Sequence, residues 1–268
     1  MSNNKDPLFL AGRYNKYNRT VSQTPWFIDG SKKVADSVED FIKDAINLYI
    51  PHKKSRFSAS GREDVDVRML GRGRPFVLEI IDPPNDIPLM LDKCQEQVKV
   101  LSKGKVTVRD LQVVSRQEVN QFQKEDDDKK KQYTALCIAN RPLSTREMDT
   151  FNSSFKSTQI EQRTPIRVLH RRPLATRLRT IQSLELRPYD PDDQNLSHKF
   201  LIEVVTEAGA YIKELVHGDL GRTTPCLSDM ISQLLGQELK TDIISLDVQQ
   251  VFVEWPPSLD DPIDNARQ

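Results

Sequence analysis

Apolar residues recur at helical intervals in one segment near the start of the chain. Residues 34–49 read VADSVEDFIKDAINLY, and Pro51 follows closely. The apolar positions that share one helical face are Val34, Val38, Phe41, Ile42, Ala45 and Leu48. Acidic side chains take the opposite face, and proline cannot continue a helix. The pattern predicts an amphipathic helix that ends before Pro51.

Short runs of β-branched and apolar residues dominate the rest of the chain. They are residues 75–81, 105–114, 132–139, 176–186, 199–208 and 247–255. Pro, Gly or charged turns separate them, which is typical of strands. Strands outnumber helices without a regular strand–helix alternation, so the pattern predicts an α+β fold. A further helix is expected within residues 142–160, and the charged run KEDDDKKK at 124–131 is interpreted as a solvated hairpin tip.

The composition is that of an ordinary globular protein. The chain has 268 residues, 37% hydrophobic and 29% charged, enough for one large domain or two moderate ones. It has no apolar run of the length that spans a bilayer, and MSNNKDP lacks the apolar stretch of a signal peptide. We therefore expect an intracellular protein, in the nucleus or the cytoplasm, without a membrane partner. The oligomeric state is open, with a monomer favoured.

The charge is balanced overall but unevenly distributed. The net charge is zero, which taken alone argues against binding to nucleic acid. Basic residues nevertheless collect in three stretches, 13–19, 62–74 and 163–179, and acids dominate 125–128 and 258–264. The distribution predicts a local basic face on a neutral protein.

The three cysteines predict neither a disulfide framework nor a metal site. Cys94, Cys137 and Cys226 are far apart and odd in number, and no set of His and Cys has metal-ligand spacing. We interpret them as reduced, structural residues, and we expect neither a metal nor another cofactor.

Two aspartates lie within an arginine-rich run. Residues 56–75 read RFSASGREDVDVRMLGRGRP and contain Asp64 and Asp66 among five arginines. If 63–68 is extended, Asp64, Asp66 and Arg68 point one way and Val65 and Val67 point into the core. A carboxylate among cations that could hold a phosphate backbone suits chemistry on a nucleotide. From local sequence alone, both acids could instead simply balance the surrounding arginines.

This run resembles the motif GRTDxGV of TruA-type pseudouridine synthases. In the form GREDVDVR it looks like the Pus-ten family of archaeal and eukaryotic tRNA pseudouridine synthases. The segments that resemble the same family, in order, are AGRYNKYNRTVSQTPWFIDG (11–30), GRGRPFVLEI (71–80), TPIRVLHRRPLATR (164–177), AGAYIKELVHGDLGRTTP (208–225) and VEWPP (253–257). The resemblance implies the pseudouridine synthase fold, with a mixed, mostly antiparallel central sheet in two halves, flanking helices and a central RNA-binding cleft. It also implies cofactor-free isomerisation of uridine in the TΨC loop of tRNA.

The resemblance assigns roles to four residues. It places the catalytic aspartate at Asp64, whereas Asp66 stands where the motif has glycine and is the second choice. Tyr133 is implied to stack on the uracil, and Tyr211 to pack against the base. Lys213 is implied to pair with the catalytic carboxylate, and a nearby cation lowers the pKa of such a group.

Cations next to aromatic residues supply backbone contacts and stacking for folded RNA. The cations assigned to RNA binding are Arg13, Lys16, Arg19, Arg62, Arg68, Arg72, Arg74, Arg167, Arg171, Arg172 and Arg222. Arg222 lies in the turn GDLGRT at 218–223, for which structural and functional interpretations weigh equally. His217, Trp26 and Trp255 are interpreted as structural residues.

The domain organisation is predicted as one catalytic domain over residues 1–258, followed by a polar tail, 259–268. Its halves are expected to divide near residue 142. Proteins of the resembled family usually carry an N-terminal THUMP-containing accessory domain, and this chain begins at the catalytic domain. The alternative function is therefore a catalytically silent RNA-binding module with the same fold.

Overall fold

The computed structural model describes residues 6–84, 88–125, 129–190 and 198–259. The chain forms two compact units, one of residues 1–127 and 250–268 and the other of residues 128–249. The single catalytic domain expected over 1–258 stays a prediction. The predicted tail 259–268 lies outside the described residues, except for its first residue.

The described residues of the first unit form antiparallel strands and three helices. Its elements are β1 (Leu8–Lys16), β2 (Phe27–Ile28), β3 (Ser31–Lys32), α1 (Val38–Tyr49), β4 (Lys54–Ala59), β5 (Val67–Ile81), α2 (Leu91–Leu101), β6 (Val106–Val114) and α3 (Arg116–Glu125). β1 pairs with both β5 and β6, and β4 pairs with β5. β2 and β3 form a separate small hairpin.

The predicted amphipathic helix corresponds to α1, but it begins four residues later than expected. The side chain of Ser37 accepts a hydrogen bond from the backbone nitrogen of Asp40 and caps the helix, which fixes the first turn after Ser37. Ile46 joins the buried face, whereas Leu48, predicted to be buried, is 61% exposed.

Strand β1 lies in the core of the first unit with both of its faces covered. All residues from Phe9 to Lys16 are buried. The ring of Tyr14 contacts those of Phe57 and Phe76, with centroids 6.5 and 6.3 Å away. Because both faces are covered, the charged residues of β1 are buried as well, and this determines how the candidate site is held.

The described residues of the second unit form antiparallel strands and three α-helices. Its elements are β7 (Lys131–Ala139), α4 (Thr145–Ser154), β8 (Thr158–Arg163), a 3₁₀ helix (Ile166–Val168), β9 (Thr176–Pro188), β10 (Lys199–Thr206), α5 (Ile212–His217), β11 (Thr223–Thr224), α6 (Leu227–Leu235) and β12 (Thr241–Val251). The strand order β11-β8-β9-β10-β7 is antiparallel at every step. α4 confirms the helix predicted within 142–160, and Ser144 and Glu147 form a capping box at its start.

The predicted α+β class with mostly antiparallel strand pairing is confirmed. The hairpin predicted around 124–131 is wrong, because α3 occupies 116–125, β6 pairs with β1, and β7 pairs with β10. Residues 126–128 of that run lie outside the described residues. Within the described part of the chain, no helix is long and apolar enough to cross a membrane.

Candidate functional site

Asp64 lies on a turn between β4 and β5. The condition under which Asp64 and Asp66 would share one face, an extended backbone over 63–68, is not met: the backbone nitrogen of Val67 donates to the carbonyl oxygen of Asp64 at 3.1 Å, and β5 begins only at Val67. Asp64 and Val65 are half-buried, and Asp66 is exposed. The side chains of Asp64 and Asp66 therefore do not share one face of a strand. The turn leaves Asp64 half-buried and Asp66 exposed.

The glutamate preceding Asp64 is the centre of a buried polar network. Glu63 forms an ion pair with Arg74, Oε2 to Nε at 2.7 Å, and each side chain is only 1% exposed. The hydroxyl of Tyr14 lies 2.9 and 3.0 Å from the two oxygens of Glu63. Gln23 donates to that hydroxyl at 2.8 Å and to the carbonyl of Gly61 at 3.0 Å. Burial, and then the charge of Glu63, raises the pKa of Tyr14 well above its ordinary value.

Buried cations hold both ends of the turn by its backbone. Arg74 donates to the carbonyl of Ser60 at 2.6 Å. The ammonium of Lys16 donates to three carbonyls, those of Val21 at 2.9 Å, Asp64 at 3.0 Å and Val65 at 2.9 Å. Burial lowers the pKa of Lys16 to about 8, and the charge of Glu63 opposes that shift. The backbone of Asp64 is thus anchored from within the core.

Three of the cations assigned to RNA binding are buried, which corrects the prediction for them. Arg13, Lys16 and Arg74 are each at most 1% exposed. The guanidinium of Arg13 donates to the carbonyls of Arg72, Gly73, Val253 and Trp255 at 2.9 to 3.1 Å. Burial lowers the pKa of Arg13 to about 10. Arg13 and Lys16 lie on β1 and Arg74 lies opposite Tyr14 on β5, so all three side chains are held inside the protein and do not reach its surface.

The other predicted cations of the first unit reach the surface. Arg62 is exposed, and Arg19, Arg68 and Arg72 are half-buried. Arg19 donates to the carbonyl of Asp66 at 2.8 Å and so also contacts the turn. Their assignment to RNA stays a prediction.

In the second unit, Tyr211 and Lys213 stand at the start of α5. The side chain of Gln162, on β8, donates to the carbonyl of Tyr211 and accepts from its backbone nitrogen, both at 2.9 Å. These two hydrogen bonds fix the backbone of Tyr211 immediately before α5 begins. Lys213 follows in the first helical turn and is half-buried. Asp64 belongs to the first unit, and its predicted pairing with Lys213 stays a prediction.

A second buried carboxylate, Glu214, follows Lys213 directly. Glu214 is 1% exposed, and Arg167 donates to it from Nε to Oε1 at 2.6 Å and from Nη2 to Oε2 at 3.4 Å. The guanidinium carbon of Arg167 also lies 5.9 Å from the ring centroid of Tyr211. Glu214 was not predicted as a functional residue, because an acid in a short helix gives no signal of burial in the sequence.

The turn GDLGRT joins α5 to the loop between β8 and β9. The carboxylate of Asp219 accepts from the backbone nitrogen of Ile166 at 3.0 Å. Arg222 donates to the carbonyl of Thr164 at 3.1 and 2.7 Å. The ring nitrogen Nδ1 of His217 accepts from the backbone nitrogen of Asp219 at 3.0 Å, which supports the structural role predicted for His217.

The remaining predicted residues of the second unit lie on β7 and on the loop after β8. Tyr133 is 9% exposed and faces Val204 across the pair of β7 and β10. Arg171 and Arg172 are exposed. Arg171 and Arg172 stay candidates for contacts with RNA.

The two tryptophans differ. Trp255 stacks on Phe122 with ring centroids 4.1 Å apart, as predicted for a packing residue. Trp26 is 40% exposed, so its interpretation as a packing residue is wrong.

Comparison with known proteins shows that the chain is similar in sequence to proteins named as tRNA pseudouridine synthases. It is 43% identical over 256 residues to the tRNA pseudouridine synthase Pus10 of Mus musculus, covering 95% of this chain and 46% of the relative. The tRNA pseudouridine synthase Pus10 of Thermofilum pendens is 36% identical over 244 residues, covering 90% of this chain and 53% of the relative. The chain thus spans about half the length of the curated relatives it matches. A crystal structure of a Cbf5-Nop10-Gar1 complex contains a chain with a TM-score of 0.44 and 15% identity, over 94% of this chain and 54% of that one.

The class is thus an α+β protein whose relatives are named as tRNA pseudouridine synthases. The family model described as Pus10, C-terminal, matches residues 9–252. The chain belongs to the Pus10 family and corresponds to its C-terminal region, which confirms the family resemblance in the sequence.

Proposed function

We propose that this chain isomerises uridine to pseudouridine in the TΨC loop of tRNA, with Asp64 as the catalytic carboxylate and without a cofactor. The observation that carries the proposal is the placement of Asp64. It lies on a turn whose backbone is held by Lys16 and Arg74 from the core, in a chain that belongs to the Pus10 family.

The reaction breaks the N1–C1′ bond of uridine and joins C5 to C1′. The proton of C5 is then lost, and N1 carries a proton in the product. A carboxylate assists either by attacking C1′ as a nucleophile or by promoting removal of the 2′ proton. Both routes require ionised Asp64. The ammonium of Lys16 donates to the carbonyl of Asp64 at 3.0 Å and so fixes the backbone from which that carboxylate extends.

The residues proposed to hold the base and to pair with Asp64 belong to the second unit. Tyr133 is the stacking platform for uracil and Tyr211 packs against the base, because extruded bases are held between flat apolar side chains. Lys213 is the proposed cationic partner of Asp64. The surface cations Arg19, Arg62, Arg68, Arg72, Arg171 and Arg172 are the proposed contacts with the tRNA backbone.

A second candidate is a catalytically silent RNA-binding module. The observation in its favour is that cations such as Arg62, Arg171 and Arg172 are exposed, and binding to an RNA backbone needs such cations but no catalysis. Such a module needs the surface cations, but it has no need of a carboxylate held on a fixed turn.

Tritium release from C5 of labelled uridine in a tRNA transcript tests the proposal. We expect release by the unsubstituted chain, complete loss in Asp64→Ala, and retained release in the matched control Asp66→Ala. Loss only in Asp66→Ala would move the catalytic role to Asp66. No release by the unsubstituted chain, with binding intact and the transcript active with another synthase, would favour the silent module.

A further inference from the structure

The buried carboxylate of Glu214 has no part in the proposed chemistry. It lies next to Lys213 in the sequence and is 1% exposed. A buried carboxylate is costly unless it is paired, and an apolar side chain of similar size is often as stable in its place. The ion pair between Arg167 and Glu214 is therefore poorly explained by stability alone.

The guanidinium of Arg167 contacts residues on both sides of Lys213. On one side it holds Glu214 through two of its nitrogens, at 2.6 and 3.4 Å. On the other it lies 5.9 Å from the ring centroid of Tyr211, within the range of a cation–π interaction. One side chain thus constrains the ring of Tyr211 and the first turn of α5 together.

The backbone around Arg167 is itself tied to the segment that follows α5. Ile166 donates to the carboxylate of Asp219, and Thr164 accepts from Arg222. The position of Arg167 is therefore fixed before it contacts α5. Arg171, four residues further along the same loop, is exposed as Arg167 is, so comparing the two separates the contacts of Arg167 with α5 from the exposure of a loop arginine.

We propose that Arg167 is a positioning residue that orients Tyr211 and α5, and with it Lys213, for the isomerisation, instead of binding an RNA phosphate. The inference rests on the proposed function. Arg167 is then a positioning residue and not an RNA-binding residue. Arg171 and Arg172, in the same loop between β8 and β9, keep their proposed role in RNA binding.

The test compares Arg167→Gln with Arg171→Gln, using the tritium assay for kcat and KM and filter binding for the Kd of the transcript. Arg187→Gln, an exposed arginine paired with Glu203 on the sheet, is the neutral control. We expect Arg167→Gln to lower kcat about tenfold to a hundredfold, as misplacement of catalytic groups does, with Kd within about twofold. Arg171→Gln is expected to raise KM and Kd. Arg167→Lys keeps the charge but loses the planar fork, and we expect it to restore kcat only in part.

A double variant keeps the test valid if Arg167→Gln fails to fold. Arg167→Met/Glu214→Met removes both charges of the pair, which preserves the fold better than leaving one unpaired. We expect a folded protein with low kcat and normal Kd, because the contact with Tyr211 is still missing. Unchanged kcat in this variant, or an Arg167→Gln variant that behaves like Arg171→Gln, would overturn the inference. No release by the unsubstituted chain would overturn the proposed function itself, and the inference with it.

Discussion

The turn that carries Asp64 and the turn GDLGRT at 218–223 are held by opposite means. Both present candidate functional residues, and both are anchored through backbone groups. In the first, the anchors are the buried cations Lys16 and Arg74, with the buried acid Glu63 between them. In the second, the anchors Asp219 and Arg222 lie nearer the surface, with side chains 12% and 24% exposed.

The difference has an energetic consequence. A buried charged side chain is tolerated only when it has an oppositely charged or hydrogen-bonding partner. Removing one partner leaves the other as an unpaired buried charge. Anchors near the surface can be replaced by water when they are lost. The Asp64 turn is therefore rigid but sensitive to substitution and to pH, whereas the second turn is expected to tolerate change.

The largest effect is expected from breaking the central ion pair of the Asp64 turn. Glu63→Gln leaves the buried guanidinium of Arg74 unpaired, and loss of one partner of such a pair costs about 3–5 kcal/mol. Urea denaturation measures the free energy of unfolding. The control Glu161→Gln removes an exposed partner of Arg163 and should change stability by about 0.5 kcal/mol or less. Equal effects of the two substitutions would contradict the comparison.

A smaller loss is expected when Lys16 is replaced by methionine. Lys16→Met keeps the length of the side chain but removes the donor from three carbonyls, among them that of Asp64. We expect a stability loss of about 2 kcal/mol, since unsatisfied buried acceptors outweigh the relief of a buried charge. Turnover should fall at least tenfold as the turn loses its anchor. The control Lys240→Met, at an exposed lysine paired with Glu238, should leave both quantities unchanged; a normal kcat in Lys16→Met would refute the anchoring role.

Lys16 should also give stability and turnover opposite responses to alkaline pH. Its pKa is lowered from 10.5 to about 8 by burial, against the raising effects of Glu63, Asp66 and Asp64, and Arg74 lowers it further. Between these values the unfolded chain binds a proton that the folded chain does not, so the contribution of Lys16 to the free energy of unfolding rises with pH from about 8 to 10.5. Below about pH 8 both states are protonated and the contribution is constant.

Turnover should move the other way, because a neutral amine has two donors for three carbonyls. We expect the kcat of the unsubstituted chain to fall above about pH 8. The kcat of Lys16→Met should not show this fall. The difference in unfolding free energy between Lys16→Met and the unsubstituted chain should change between about pH 8 and 10.5. Identical pH profiles for both proteins would contradict the role of Lys16.

The sequence could predict strands β5, β6, β7, β9, β10 and β12, the helices α1 and α4, and the motif around Asp64, because each has a local signal. It did not predict β1, β4 or β8. It could not predict the buried network, which depends on pairing between distant strands. Tyr14 lies opposite Arg74 across β1 and β5, and only this register brings both to Glu63. A count of basic residues cannot distinguish Arg74 in the core from Arg62 on the surface. α5 was missed because six residues are too few to show a helical period.

The smallest expected effect concerns the strain in the second turn. Leu220 has a φ of 56° and is 91% exposed, although the left-handed region costs a residue such as leucine about 1 kcal/mol or more. Asparagine tolerates this region better, so Leu220→Asn should raise the free energy of unfolding by about 0.5 kcal/mol. The control Leu178→Asn changes another exposed leucine, in strand β9, and should give no gain. If Leu220→Asn stabilises the protein but weakens binding to the tRNA transcript, the exposed side chain of Leu220 contacts RNA. If it stabilises the protein without any change in binding, the second turn serves only to fix the geometry of α5. A loss of stability in Leu220→Asn would show that the strain is absent and that the two turns are more alike than their anchors indicate.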